Sequence, residues 1–230
     1  MAGEAGPSPS GQTQGLEVTH SPNKASKSKK HRGTNIKVAI TLKCAPTCAG
    51  QFPDKPSPTV RTTVKLPSGI FLNYTKFPQC EQAKLEKSGP SGCPPKSRVG
   101  KGRIEANAKP VVDKVGGTVT AFNGKNKTYL LYVVPEISSP LVIPGKLSGK
   151  TLDFKVPLVP TLPGQPNATL TYFEVTTGKA KITKGKGKKK KTYYYIENPT
   201  KCSGGYKWDF TFGYENGESL SPSDTAPCAK

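Results

Sequence analysis

Apolar and polar residues alternate with a period of two along much of the chain beyond residue 34. Ile36, Val38, Ile40 and Leu42 are separated by Lys37, Ala39, Thr41 and Lys43, the pattern of a strand with one buried face. Val60, Thr62, Val64 and Leu66 alternate with Arg61, Thr63 and Lys65 in the same way, and the strand is expected to resume over 70–74 after the turn at Pro67-Ser-Gly69. Further strands are predicted over 102–108, 118–122, 129–134, 140–147, 152–158, 169–175, 192–196 and 206–214. Asn123-Gly124 is a hairpin signal, and the stretch from Leu147 to Leu152 reads as a second tight turn. The run Tyr129-Leu-Leu-Tyr-Val-Val134 is too short to cross a bilayer and reads as a buried strand. Residues 81–87 are the one segment patterned for a helical turn.

The last long strand has the clearest face. Tyr206, Trp208, Phe210, Phe212 and Tyr214 point one way, and Lys207, Asp209, Thr211 and Gly213 the other. Aromatic side chains bury roughly 150–250 Å² each, so this row is expected to anchor a core rather than to form a ligand platform. Many short strands at regular spacing predict an all-β domain over residues 34–230, an antiparallel two-sheet β-sandwich of Ig-like or jelly-roll-like type. Residues 1–33 are rich in Gly, Ser, Pro, Lys and Gln and end in a basic cluster at Lys27–Arg32. They predict a disordered tail that acts as a solvated linker.

Composition sharpens this picture. Hydrophobic residues make up 33% of the chain, against 24 Gly and 23 Pro, which suits turn-linked strands and disfavours long helices. So little apolar material calls for covalent support, and six cysteines fall in three sequence-local pairs. Proximity predicts the disulfides Cys44–Cys48, Cys80–Cys93 and Cys202–Cys228. The spacings lack the paired CxxC or HxxxH partners of a zinc site, so neither metal nor cofactor is expected. Disulfides imply an oxidising compartment. Residues 1–33 hold no apolar core of a signal peptide, so a leader is expected upstream of Met1.

The formal net charge is +20. Eight lysines crowd into thirteen residues from Lys179 to Lys191 with no acid among them. Lys184, Lys186, Lys188, Lys189, Lys190 and Lys191 form the candidate polyanion site, a loop facing anionic wall polymers, nucleic acid or acidic lipid. Lysine gives no base readout, though Tyr193 and Tyr195 are placed to add stacking. Catalytic motifs are missing from the sequence. His20 and His31 both fall in the expected tail, which leaves a Ser-His-Asp or Cys-His site without its base. Glu105, Asp153, Glu174, Asp209 and Glu215 are the carboxylates from which a glycosidase pair would have to be drawn.

Several segments also share a pattern with a known group. Leu66-Pro-Ser-Gly-Ile70, Phe77-Pro-Gln-Cys80, Cys93-Pro-Pro-Lys-Ser-Arg-Val-Gly-Lys-Gly102 and Ala121-Phe-Asn-Gly124 are followed by a terminal block of Cys202, Lys207, Trp208, Phe210, Tyr214, Gly217 and Cys228. Over about residues 36–228 the chain resembles a group of small secreted β-rich proteins of actinobacteria. The resemblance implies secretion and a β-sandwich and transfers no catalytic residue. The chain departs from the group in its missing leader and in the lysines near 184–191. The expectation is a secreted or cell-wall-associated, non-catalytic β-sandwich that meets anionic surface material through its lysine loop. A carbohydrate-binding or glycoside-hydrolysing domain and a cytoplasmic nucleic-acid-binding protein are the alternatives.

Overall fold

Alternation becomes antiparallel strand along most of the chain. The structure, a computed structural model, describes residues 3–25, 32–178, 180–202 and 204–229. The N-terminal part forms β1 (Gly3–Ala5), β2 (Gln12–Ser21), β3 (Arg32–Gly33), β4 (Asn35–Cys44), β5 (Thr59–Lys65) and β6 (Phe71–Leu72). A short helix, α1 (Gln82–Ser88), leads to β7 (Arg98–Ala108), β8 (Val112–Asn123), β9 (Thr128–Pro135), β10 (Leu141–Ser148) and β11 (Thr151–Lys155). The chain ends with β12 (Thr169–Thr177), β13 (Lys181–Lys184), β14 (Lys191–Tyr194), β15 (Ile196–Asn198), β16 (Tyr206–Tyr214), β17 (Ser219–Leu220) and β18 (Ser223–Ala226).

Thirteen of these strands make one sheet in the order β1-β2-β4-β12-β7-β8-β9-β10-β11-β5-β16-β17, with β18 following β17 along the same edge of β16. The sheet does not split into the two layers of the expected sandwich. Right-handed twist accumulates over its long strands, and register shifts in β7, β8 and β12 bend them further. The ends of the sheet therefore approach each other and leave a near-closed barrel. At the seam, the Val18 amide of β2 donates to Asp224 Oδ2 of β18 at 2.7 Å. A Cβ on Gly3 would lie 1.8 Å from the Ser223 carbonyl oxygen, so β1 also lies hard against β18.

This closure corrects the reading of residues 1–33 as a disordered tail. β2 pairs along its whole length with β4, from Gln12↔Cys44 to Ser21↔Asn35. Leu16 and Val18 are buried, and so are Gln12, Gln14 and His20. Most of the polar atoms brought inside have partners, Gln12 Nε2 being buried without one. Gln14 Nε2 donates to the Thr41 carbonyl and its Oε1 accepts from Tyr214, while Gln12 Oε1 accepts from the Ser57 amide. The basic stretch at 27–31 lies outside the described residues.

The aromatic strand behaves as its pattern predicts. All five rings of β16 are buried, across the seam from β2. Phe210 and Phe212 stack at 5.9 Å, and His20 stacks on Tyr206 at 4.4 Å. The apolar run of β9 is explained by burial on both sides. Leu131 and Val133 join the barrel core, while Leu130 packs outward with Phe122 under Leu85 of α1. Cys80–Cys93 closes this outer cluster, and Cys44–Cys48 and Cys202–Cys228 are also bonded. One end of the barrel is crossed by the loop between β4 and β5. There the ammonium of Lys55, buried at 6% exposure, donates to the carbonyls of Lys109 and Pro166, and Thr169 donates to the Pro56 carbonyl.

Candidate functional site: an apolar lumen and a lysine hairpin

The barrel interior is not filled. On β4, Ile36 and Leu42 are 3% and 2% exposed, yet Val38 and Ile40, which stand between them on the same face, keep part of their surface. Ile143 of β10, Leu152 of β11 and Phe173 of β12 face inward and are likewise only half-buried. Their exposed surface borders a cavity of about 180 Å³, which is neither sealed nor a surface groove. Its walls come from β4, β5, β9, β10, β11, β12 and β16, and the sole tryptophan, Trp208, is among them. The lining is almost all carbon.

Gly145 helps to shape this wall. It stands opposite Phe154 across the β10–β11 ladder, and a Cβ there would lie 2.3 Å from the Phe154 ring. Its missing side chain lets the ring lie flat across the neighbouring strand. Three tyrosine hydroxyls, those of Tyr129 and Tyr195 in the cavity wall and of Tyr214 beside it, are hydrogen-bonded. Tyr129 bonds Thr177, Tyr195 donates to Asn123 Oδ1 at 3.3 Å, and Tyr214 donates to Gln14 Oε1 at 2.9 Å. Burial pushes all three phenols above the ordinary tyrosine range, so they stay neutral under physiological conditions. Among the described residues, Lys127 is the one charged side chain lining the cavity.

Lys127 marks the end of the barrel away from the β4–β5 loop. It lies in the β8–β9 turn, near Leu66, Ile70, Leu72, Tyr74, Leu147 and Tyr195 in the cavity wall. The small sheet β3-β15-β6 sits at this end, with Ile196 opposite Leu72. The Asn73 amide donates to the Tyr195 carbonyl, and Asn123 Nδ2 donates to the carbonyls of Tyr74 and Pro78. These bonds hold the rim in place. Phe71, between two lining residues, is 51% exposed.

The lysine cluster rises from the same rim as a two-stranded hairpin, β13–β14. Ile182 and Tyr193 root it on the barrel core, and the Tyr195 amide bonds the Ala180 carbonyl. Lys181, Lys184, Lys186, Lys189, Lys190 and Lys191 are all exposed. Lys179 and the side chain of Lys188 lie outside the described residues. Tyr193 lies between Lys76 and Lys191, whose ammonium groups stand 5.6 Å and 5.2 Å from its ring centre. Tyr195, expected to stack on a ligand beside it, is buried instead, because the chain turns inward between the two residues.

Each of the five candidate carboxylates is engaged by a cation or an amide. Glu105 is tied to Arg103 and Lys114, Asp153 to Arg61, Asp209 to Lys207, and Glu215 accepts from Asn167. Glu174 shares the outer face with Glu105, but hydrogen bonds from Lys37 and Tyr172 hold its carboxyl below the usual range. A general acid requires the opposite shift.

His20, placed by sequence reasoning in a flexible tail, is in the core. Trp208 Nε1 donates to its Nε2 at 3.0 Å, which places the ring proton on Nδ1, facing Asn198 Oδ1 at 3.2 Å. Burial lowers its pKa to about 4, so it serves as a neutral packing group. Sequence reasoning missed the lumen altogether. Its only trace was a set of aliphatic strand faces with no surplus of aromatic filler opposite β4 and β10. Comparison of the chain with protein-family models, curated proteins and solved structures returned no match.

Proposed function

We propose that this protein is a non-catalytic binding protein, secreted or wall-associated, that takes an apolar molecule into its barrel. One observation carries the reading: inward-facing aliphatic side chains keep accessible surface around about 180 Å³ of uncharged space. Apolar walls in contact with water lose about 25 cal/mol for each Å² left uncovered, so a ligand that covers them is stabilised by their burial. Apolar cavities of roughly 150 Å³ stay dry and bind benzene. Small barrels commonly hold one small ligand in this position.

Trp208 lines the cavity and is the only tryptophan, so its emission reports occupancy directly. Toluene is expected to shift that emission saturably and to raise Tm by mass action. Val38→Phe, which takes up part of the space, is expected to weaken both effects while the barrel stays folded. A wild-type protein that shows neither effect refutes the reading.

Three disulfides support a place in an oxidising compartment. The native protein is expected to show no free thiols, and finding six would favour the cytoplasmic nucleic-acid reading. The exposed β13–β14 lysines favour a second activity, attachment to anionic surface polymers. Changing Lys184, Lys186, Lys189, Lys190 and Lys191 to Ser is expected to lower the salt concentration at which the protein leaves heparin by more than the same number of Lys→Ser changes elsewhere on the surface, and an equal shift removes the hairpin as the contact.

A further inference from the structure

The lumen and the lysine hairpin are built from different strands. They occupy the same end of the barrel. Resting on the reading of the lumen as a ligand site, we propose that the ligand is a single-chain amphiphile with an anionic head group, its chain in the barrel and its head at the rim beside Lys127.

The geometry divides into two chemistries along one axis. The interior wall is almost all carbon, so a charged head taken inside would lose its water with little to replace it. The far end is crossed by the β4–β5 loop, pinned through Lys55 to the carbonyls of Lys109 and Pro166. At the rim, by contrast, Lys127 is exposed and also lines the cavity. The hairpin that starts beside buried Tyr195 carries exposed lysines with no acid in its strands or turn. The nearest rim carboxylates are already engaged. Glu81 is paired with Lys125, and Glu197 accepts from Asn73 Nδ2 and the Tyr194 amide. The local field is therefore positive where the head of a bound chain would emerge. Such a field draws anions and weakens with added salt.

The size of the cavity sets the probe. Three ligands share an eight-carbon chain and differ only in head group: octanoate, octanol and octyltrimethylammonium. Titration into the full chain at low salt, read by Trp208 emission, is expected to give an order of binding octanoate, octanol, octyltrimethylammonium. Octanoate should lead octanol by about tenfold, an ordinary size for a close charge contact. The lead is expected to shrink to less than threefold in 0.5 M NaCl, and to do so at low salt in a variant carrying Lys127→Gln with Lys181→Ser, Lys184→Ser and Lys191→Ser. Octanol affinity should not change in that variant, which also shows that it is folded. Octanol binding as well as or better than octanoate overturns the anionic head and leaves the lumen reading intact. An unchanged octanoate lead in the variant overturns the role of these lysines. If none of the three probes binds and toluene also fails, it is the lumen reading itself that falls.

Discussion

His20 illustrates how a polar residue enters a core that is short of apolar ones. The indole of Trp208 supplies one hydrogen bond and Asn198 takes the other, and the imidazole stacks on Tyr206. Protonation would put a proton on Nε2, against the Trp208 N–H, in a site where a charge is poorly solvated. Its folded pKa of about 4 lies below the ordinary histidine value of 6.5. Above 6.5 neither the folded nor the unfolded state carries this proton. As pH falls below 6.5 only the unfolded chain takes it up, so stability is lost until about pH 4, where the folded state binds it as well. At 1.36 kcal/mol per pKa unit the loss is roughly 3 kcal/mol. Tm measured across this window is expected to fall, and His20→Gln is expected to flatten the fall, because its amide does not titrate. A His20→Gln profile as steep as the wild type would move the effect to other groups. Gly145 makes a second test at this scale. Valine there is expected to displace the Phe154 ring toward the lumen, costing about 1–3 kcal/mol and excluding toluene.

At the scale of elements, what could be read from the sequence depended on how local the signal was. β16 and β4 follow from alternation alone, and the outer cluster under α1 explains why β9 reads as apolar on both faces. β2 was missed for a physical reason. Of its five inward residues only Leu16 and Val18 are aliphatic, and Gln12, Gln14 and His20 bond to groups elsewhere in the fold, most of them far along the chain. No window of sequence contains those partners. The curl into a barrel is equally non-local, because it joins Val18 to Asp224 across 206 positions. The lumen depends on that curl and so was hidden with it. Asp224 carries a direct prediction. Asp224→Ala leaves the buried Val18 amide without an acceptor, a loss on the order of 1–3 kcal/mol. Hydrogen exchange is expected to quicken first in β2 and β18. Uniform quickening across the sheet, with β2 no faster than β8, would show that the carboxylate does not hold the seam.

The whole molecule combines a thin apolar supply with a cavity in its core and a charge of +20, each of which works against a compact state. The three disulfides oppose them. Cys202–Cys228 ties the approach to β16 to the segment after β18, next to the seam that Asp224 closes. Cys80–Cys93 encloses α1 and keeps Leu85 over Phe122 and Leu130. Cys44–Cys48 fixes the start of the loop that crosses one barrel end. The separations of 13 and 26 residues correspond to about 3 kcal/mol each in the loop-entropy model, and the shortest loop contributes less. Complete reduction under native conditions is therefore expected to lower Tm by roughly 10 °C or more. Higher ionic strength should restore part of the loss by screening the lysines. The order of loss is also expected: opening Cys202–Cys228 with paired Cys→Ser changes should loosen the seam and weaken toluene binding, whereas opening Cys80–Cys93 should expose α1 and leave the lumen able to bind. Reduction that left Tm unchanged would mean that the ladders alone hold the barrel closed around its void, and the case for an oxidising compartment would lose its physical basis.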